Sequence, residues 1–477
     1  MKRPLSFYTI FFIVCMVVMR VSGILSKIVL ARAITPYEYG IITLIIISFP
    51  NVFQLLTNFC LHDLLSHSRR GRKYFGFSIF YSVFVSILIG AVVFIFHNQI
   101  FDFLNLPLKN WHVLFMGFFI VLISNAILVD MTGILRGLKR YSQTTILASL
   151  PSVLKLFLIL IAVYLLNIRD FCTLLLIFAI SPLIVLIGIS IKEWRKLFKY
   201  LKNINIPSKD MFLFGISIFT ISLFGGLNQA ISKIIVSHDL GIEYQGYFDI
   251  SFTLVTLLGF SFAAMQFISI PEATGARNKR DLLFKTGGLG DISRALFSFL
   301  LFGVILLYFY SYQFVDLLFS HRYTIAANYV PILAVGYIFL FVQQFLAYVN
   351  ISLSEDIKGY KQLIFITLLL LIISPFVTHM LIQSSGFIGA YISIVLFLFL
   401  YSLITIILLR DISPLYALLF KIERLILSIL ITFLFLMYFQ PPFIIGILIS
   451  FILYISIIFL SGYLKKELIS DLFTYGT

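Results

Sequence analysis

SKIVLARAITPYEYG at 26–40 and SKIIVSHDLGIEYQG at 232–246 are two versions of one segment, set a constant 206 residues apart. Ser26, Lys27, Ile28 and Gly40 recur as Ser232, Lys233, Ile234 and Gly246, while Val29, Leu30 and Ile34 meet similar apolar residues. Each copy leaves one long apolar stretch and enters the next. A second pair agrees at a slightly larger offset: in GLKRY at 137–141 and DIKGY at 356–360, Lys139 and Tyr141 recur as Lys358 and Tyr360. Just upstream, Ser124 and Asn125 correspond to Gln343 and Gln344. A chain that repeats itself at this period is built from two halves in parallel orientation.

What surrounds the repeats fixes the solvent. With 61% hydrophobic and only 12% charged residues, the 477-residue chain has too little polar surface to cover a water-soluble core. Apolar stretches of roughly 20 residues cross about 30 Å of hydrocarbon as helices. They are expected at 6–30, 41–63, 74–96, 112–135, 144–167, 170–191, 211–236, 246–270, 292–316, 326–352, 362–383, 386–409, 414–438 and 441–463. The fold class is therefore all-α, a polytopic membrane protein of about fourteen transmembrane helices. The repeat divides it into a six-helix lobe at 1–203, a second at 204–410, and two further helices with a tail at 411–477. The first span is too long for a signal-peptide core and lacks a small-residue cleavage site, so it is expected to be retained. Cys15, Cys60 and Cys172 all fall within apolar spans, where they read as packing residues without disulfide or metal roles.

The basic residues orient the spans. Of 35 Lys and Arg, 27 lie in one alternating set of loops: 2, 3, 69, 70, 72, 73, 136, 139, 140, 192, 195, 196, 199, 202, 209, 277, 279, 280, 285, 294, 358, 361, 410, 421, 424, 465 and 466. The opposite set holds only Arg32, Lys109, Arg169 and Arg322. By the positive-inside rule the first set and both termini are cytoplasmic, in the plasma membrane. This bias accounts for most of the net charge of +15, and the bases are spread over separate membrane-flanking segments, which excludes nucleic acid as a partner. They serve instead as contacts to anionic membrane lipids. No loop has room for a folded catalytic domain, and no phosphate-cradling GxxxxGK[ST] segment occurs. An enzyme is not expected, nor a cofactor.

Four cations remain inside the spans, each costing about 2.5–3.5 kcal/mol at a helix centre. Arg20 and Lys27 are seven apart on one face of the first helix, with Gly23 between them. Lys233 holds the place of Lys27 in the seventh span and shares its face with Gln229 and Gly226, while Lys155 lies within the fifth. Together they could line a water-filled, positively charged cavity; alternatively Lys27 and Lys233 snorkel to the external headgroups, and Lys155 pairs with Asp130 of the preceding span. Arg20 is too deep to snorkel. Asn51, Gln54 and Asn58 form a polar stripe toward His62 that fits either sugar contacts or interhelical hydrogen bonds. Gln343, Gln344, Asn350, Ser124 and Asn125 carry the same two readings. Asp130 is a proton or cation site, or a structural partner; Asp249 is near enough to the start of its span to sit at the interface. Pro50, Pro151, Gly225 and Gly226 allow kinks or close helix approach.

LARAITPYEYG after the first span, GILRGLKRY closing the fourth, the Lys-Gly-Tyr segment after the tenth, and the Gly386, Gly389, Ala390 turn into the twelfth resemble polysaccharide-export flippases of the multidrug, oligosaccharidyl-lipid and polysaccharide (MOP) transporter superfamily. The resemblance covers most of 6–410. It implies a central cavity opening alternately to each side, and fourteen spans resemble the lipid II flippases more than the twelve-helix members. Its substrate would be a polyprenyl-(di)phosphate-linked saccharide, with Arg20, Lys27, Lys155 and Lys233 for the anion and Asn51, Gln54, Asn58, Gln229 and Gln344 for the glycan. The driving force is open between a sodium or proton gradient, for which Asp130 could be the coupling site, membrane potential, and consumption of product outside; a surface-polymer polymerase or glycosyltransferases could be partners, and by resemblance a monomer would suffice. A drug exporter of the same superfamily and a non-transporting scaffold for surface-polymer assembly are the rival expectations.

Overall fold

The computed structural model describes residues 5–58, 61, 65, 74–138, 140–201, 205–207, 209–261, 283, 289–353, 358–409 and 413–463, and among them every regular element is a helix. Eleven of these helices are long and apolar enough to cross a membrane. Of the other expected spans, 211–236 lies inside one continuous helix, while 41–63 and 246–270 are broken and extend beyond the described residues. Large apolar side chains cover the outside: Leu165 is 77% exposed and Leu460 88%. Such surface is tolerated by lipid and not by water. The chain is a multi-pass membrane protein.

By packing, the chain falls into two compact units, Met1–Asp249 with Thr367–Ala390, and Ile250–Ile366 with Tyr391–Thr477. In the first unit, α1 (Leu5–Ala33) leads through α2 (Pro36–Thr43) to α3 (Phe49–Thr57), followed by α4 (Phe75–Ile95), the short α5 (His97–Phe103), α6 (Trp111–Gly137), α7 (Tyr141–Leu160), α8 (Phe171–Leu201) and α9 (Lys209–Leu240). Helix α1 packs along α7, and α6 contacts α4, α7 and α8. Glycines sit at these crossings: a Cβ on Gly90 would enter the ring of Phe119, and one on Gly117 the side chain of Leu175. Small residues let membrane helices approach this closely.

The second span is not one helix. Residues Leu44–Ser48 form a π-helical turn between α2 and α3, just ahead of Pro50. Proline has no N–H to donate and its ring crowds the carbonyl four residues back, so a wider turn relieves the register at that point. The break falls immediately before the stripe of Asn51, Gln54 and Asn58.

In the second unit, α11 (Leu289–Phe319) packs against α12 (Val330–Leu353), α15 (Ser413–Leu419), α16 (Ile422–Phe439) and α17 (Phe443–Leu460). Helix α11 kinks at Tyr310, whose hydroxyl donates 3.0 Å to Pro441 O in the α16–α17 turn. Tyr454 on α17 donates 2.8 Å to Ser298 O. The last two helices are thus fastened to α11 by buried tyrosines at both levels. The intervening α13 (Lys358–Ser385) and α14 (Phe387–Leu409) each begin in one unit and end in the other.

Candidate functional site

The repeated segments meet. Thr35 caps α2 by accepting from Glu38 N while the Glu38 carboxylate accepts from Thr35 N, and Pro36 fills the first turn, where its missing N–H has no cost. In the second copy the same turn into α10 (Ile242–Val255) is made by Gly241 at φ +100°, a conformation that side chains resist. Two different local chemistries therefore place two equivalent helix starts. They clasp each other reciprocally: a Cβ on Gly40 would stand 2.2 Å from Ile242 O, and one on Gly246 would stand 2.5 Å from Pro36 O. Since 36 and 40 correspond to 242 and 246 at the offset of 206, this is one contact made twice about a pseudo-two-fold axis. No residue but glycine fits at either place.

The same axis organises the polar contacts. Tyr39 donates 2.8 Å to Asp249 Oδ2, and at the equivalent positions Thr43 donates 3.2 Å to Gln245 Oε1. Asp249 has no exposure. Lys27 reaches its Oδ2 at 2.8 Å and Lys233 its Oδ1 at 2.5 Å. The two lysines that the repeat pairs thus converge on a single carboxylate, one oxygen each, with Tyr39 completing the set. Thr43 stands where symmetry would place a second acid, so among the described residues the cluster sets two ammonium groups against one carboxylate, a surplus of positive charge. Such a group, held in low dielectric, attracts anions far more strongly than exposed lysines do. Asp249 is therefore a buried counter-ion, its place decided by packing between the two helix starts. Sequence reasoning missed it, although an acid within the apolar run YFDISFTLV, 16 residues after Lys233, was a usable signal.

The other candidates are dispersed. Lys27 retains 18% side-chain exposure and Lys233 only 5%. Arg20 is half-buried one face-repeat before Lys27 on α1. Lys155, half-buried on the helix packed along α1, holds its ammonium 4.8 Å over the ring of Phe178, a cation–π contact. Asp130 takes no part in that contact. It is bonded by Ser82 at 2.7 Å. In the polar stripe Asn51 is exposed, Gln54 half-buried and Asn58 buried, with Asn58 Oδ1 accepting from Thr57. Gln229 and Gln344 are half-buried, while the neighbouring Asn228 and Gln343 are buried, each with one amide atom lacking a partner among the described residues. His62 and the Asn350 side chain lie outside the described residues, as do Cys60 and the Lys139 and Lys358 side chains of the second repeat. Among the described residues no cluster of His, Cys, Asp and Glu has metal-binding geometry.

Long apolar helices with two equivalent lysines brought onto one carboxylate define the class as a polytopic helical membrane protein. Solved structures share its fold: the lipid II flippase MurJ in its inward closed conformation matches with a TM-score of 0.68 at 13% identity, over 96% of this chain and 100% of that one. A MOP superfamily transporter from Pyrococcus furiosus, described as having a binding pocket of reverse polarity, matches at 0.56 and 16% identity, over 86% and 95%. A MATE transporter in complex with MaL6 matches at 0.56 and 16%, over 84% and 94%. At such identities the likeness is one of fold. The sequence goes further: residues 9–271 match the model of the polysaccharide biosynthesis protein family, and the chain belongs to that family. No curated protein sequence matches the chain.

Proposed function

We propose that the protein is a flippase that moves a polyprenyl-phosphate-linked or diphosphate-linked saccharide from the cytoplasmic to the external leaflet by alternating access of two six-helix lobes. The observation that supports this reading is the surplus of base over acid, among the described residues, in the Lys27, Lys233 and Asp249 cluster. A lipid-linked sugar brings its phosphate through hydrocarbon, where an anion needs fixed positive charge to offset lost hydration. Lys27, the more exposed of the pair, meets the phosphate; Lys233 and Asp249 fix its position. Arg20 and Lys155 add positive potential along the same two packed helices, and Gln54 and Asn51 offer amides to the glycan. Both termini are cytoplasmic in this reading, as the loop charges require.

Membership in a polysaccharide biosynthesis family supports a saccharide cargo over a drug. The likeness to MATE proteins gives the rival, an exporter of cationic drugs, which needs acids in excess at its site. The test is leaflet-resolved transport of a fluorescent polyprenyl-diphosphate oligosaccharide in proteoliposomes. Wild type is expected to transport, Lys27→Ala to lose most of the rate while remaining folded, and Arg20→Ala to slow it. Transport of an organic cation, with no movement of several lipid-linked sugars, would overturn the proposal.

A further inference from the structure

Within the first unit, away from the lysine cluster, one hydroxyl has two acceptors. Ser82 Oγ on α4 stands 2.9 Å from Thr57 O at the end of α3 and 2.7 Å from Asp130 Oδ2 on α6. A serine carries one donatable proton, so it can serve only one of these oxygens. With a proton on the carboxyl both contacts become full hydrogen bonds, in a chain from Asp130 O–H to Ser82 O–H to the Thr57 carbonyl, where otherwise the two oxygens must share one proton. The backbone around that carbonyl is held locally, since the Thr57 hydroxyl lies 3.1 Å from Gln54 O and 3.1 Å from Asn58 Oδ1.

The surroundings argue the same way. Asp130 has no exposure, and its Oδ1 has no hydrogen-bond partner among the described residues. Ser78 lies beside the carboxyl, and its hydroxyl has no hydrogen-bond partner of good geometry among the described residues. Leu128 and Met131, close to Asp130 on the same helix, belong to an apolar cluster with Leu61, Tyr74, Ile134 and Leu147. A carboxylate with one partnered oxygen, one bare oxygen and no bonded cation is not stable in such a place; it takes up a proton.

We infer that Asp130 is a proton-binding site: its carboxyl is neutral in this conformation and ionises only when helix movement admits water or a cation. The proton leaves to that water, and the Ser82 hydroxyl then turns from Thr57 O to the carboxylate, so that loss of the proton frees the Thr57 carbonyl and loosens the α3–α4 contact. Proton exchange is thereby tied to a rearrangement beside the α3 stripe. The inference needs no assumption about cargo, and its test uses none.

The test is infrared spectroscopy of purified full-length protein in detergent, comparing wild type with Asp130→Asn, a neutral isostere that keeps the fold, and Ser82→Ala. A protonated carboxylic C=O band present near neutral pH in wild type and absent from D130N is expected, with S82A moving the band without deleting it. Loss of only ionised-carboxylate bands in D130N would overturn the inference, as would a band that vanishes on addition of sodium ions, which would make this a metal-cation site. A band unaltered in S82A would overturn the hydroxyl chain.

Discussion

Two lysines on one carboxylate make a lopsided prediction about stability. Removing Asp249 as Asp249→Asn leaves the buried Lys233 ammonium facing the half-buried one of Lys27, whereas removing Lys233 as Lys233→Met leaves a neutral Lys27–Asp249 pair. At separations of 2.8 and 2.5 Å each contact supplies about 6 kcal/mol of attraction at an effective dielectric of about 20. Most of this offsets the desolvation of three ions, so the net loss for D249N is about 3–5 kcal/mol, the usual result of orphaning buried charge. K233M exchanges an ion for an apolar chain of similar length and leaves one pair intact, so its effect is expected within about 1 kcal/mol of zero. The assay is thermal unfolding in detergent, read by retention of the monodisperse peak on size exclusion. D249N is expected to unfold well below wild type, K233M close to it, and the double variant between them, because removing one cation relieves half the imbalance. Equal destabilisation by D249N and K233M, or a double variant no better than D249N, would refute the two-to-one reasoning.

Other outcomes follow from the same geometry. If the pseudo-two-fold axis is real in energetic terms, moving the acid to its equivalent position as Asp249→Asn with Thr43→Asp restores at least half of the melting temperature lost by D249N alone. Gly40→Ala and Gly246→Ala each drive a methyl into a backbone carbonyl and should each destabilise by about 1–3 kcal/mol, measurable as loss of folded yield, while Gly226→Ala, with open space around it, should not. His379 Nδ1 lies 2.8 Å from Asp239 Oδ2, a carboxylate 2% exposed whose other neighbour, His238, stands 3.9 Å away. His379→Ala is therefore expected to cost about 1–3 kcal/mol, seen as a lower melting temperature; no change would mean that His238 turns in to replace it.

How much of this was legible beforehand differs from residue to residue. The all-helical membrane fold was readable because hydropathy is summed over whole segments, and the equivalence of Lys27 with Lys233 because a duplicated segment keeps its register. Asp249 was not, since depth from a span boundary says nothing about a partner 222 residues away in the sequence. Lys155 and Asp130 are close in sequence and opposite in charge, which suggested a pair; instead one lies on an aromatic ring and the other on a serine, a choice made by helix rotation that a span count does not contain. The broken second span had its signal in Pro50, but the π turn that precedes it depends on what the loosened carbonyls meet in the fold.

The reciprocal clasp of Gly40 and Gly246 also bears on how such a chain can be assembled from parts. A symmetric pair of first halves would reproduce the glycine contacts and set two copies of Lys27 face to face, with Thr43 on either side and no acid between them. A pair of second halves would hold two acids and two lysines, balanced and without surplus charge. Only the mixed pairing combines the fit with a surplus of positive charge and an acid that holds the two lysines together, so a single aspartate, present in one copy and absent from the other, makes the two halves complementary instead of interchangeable.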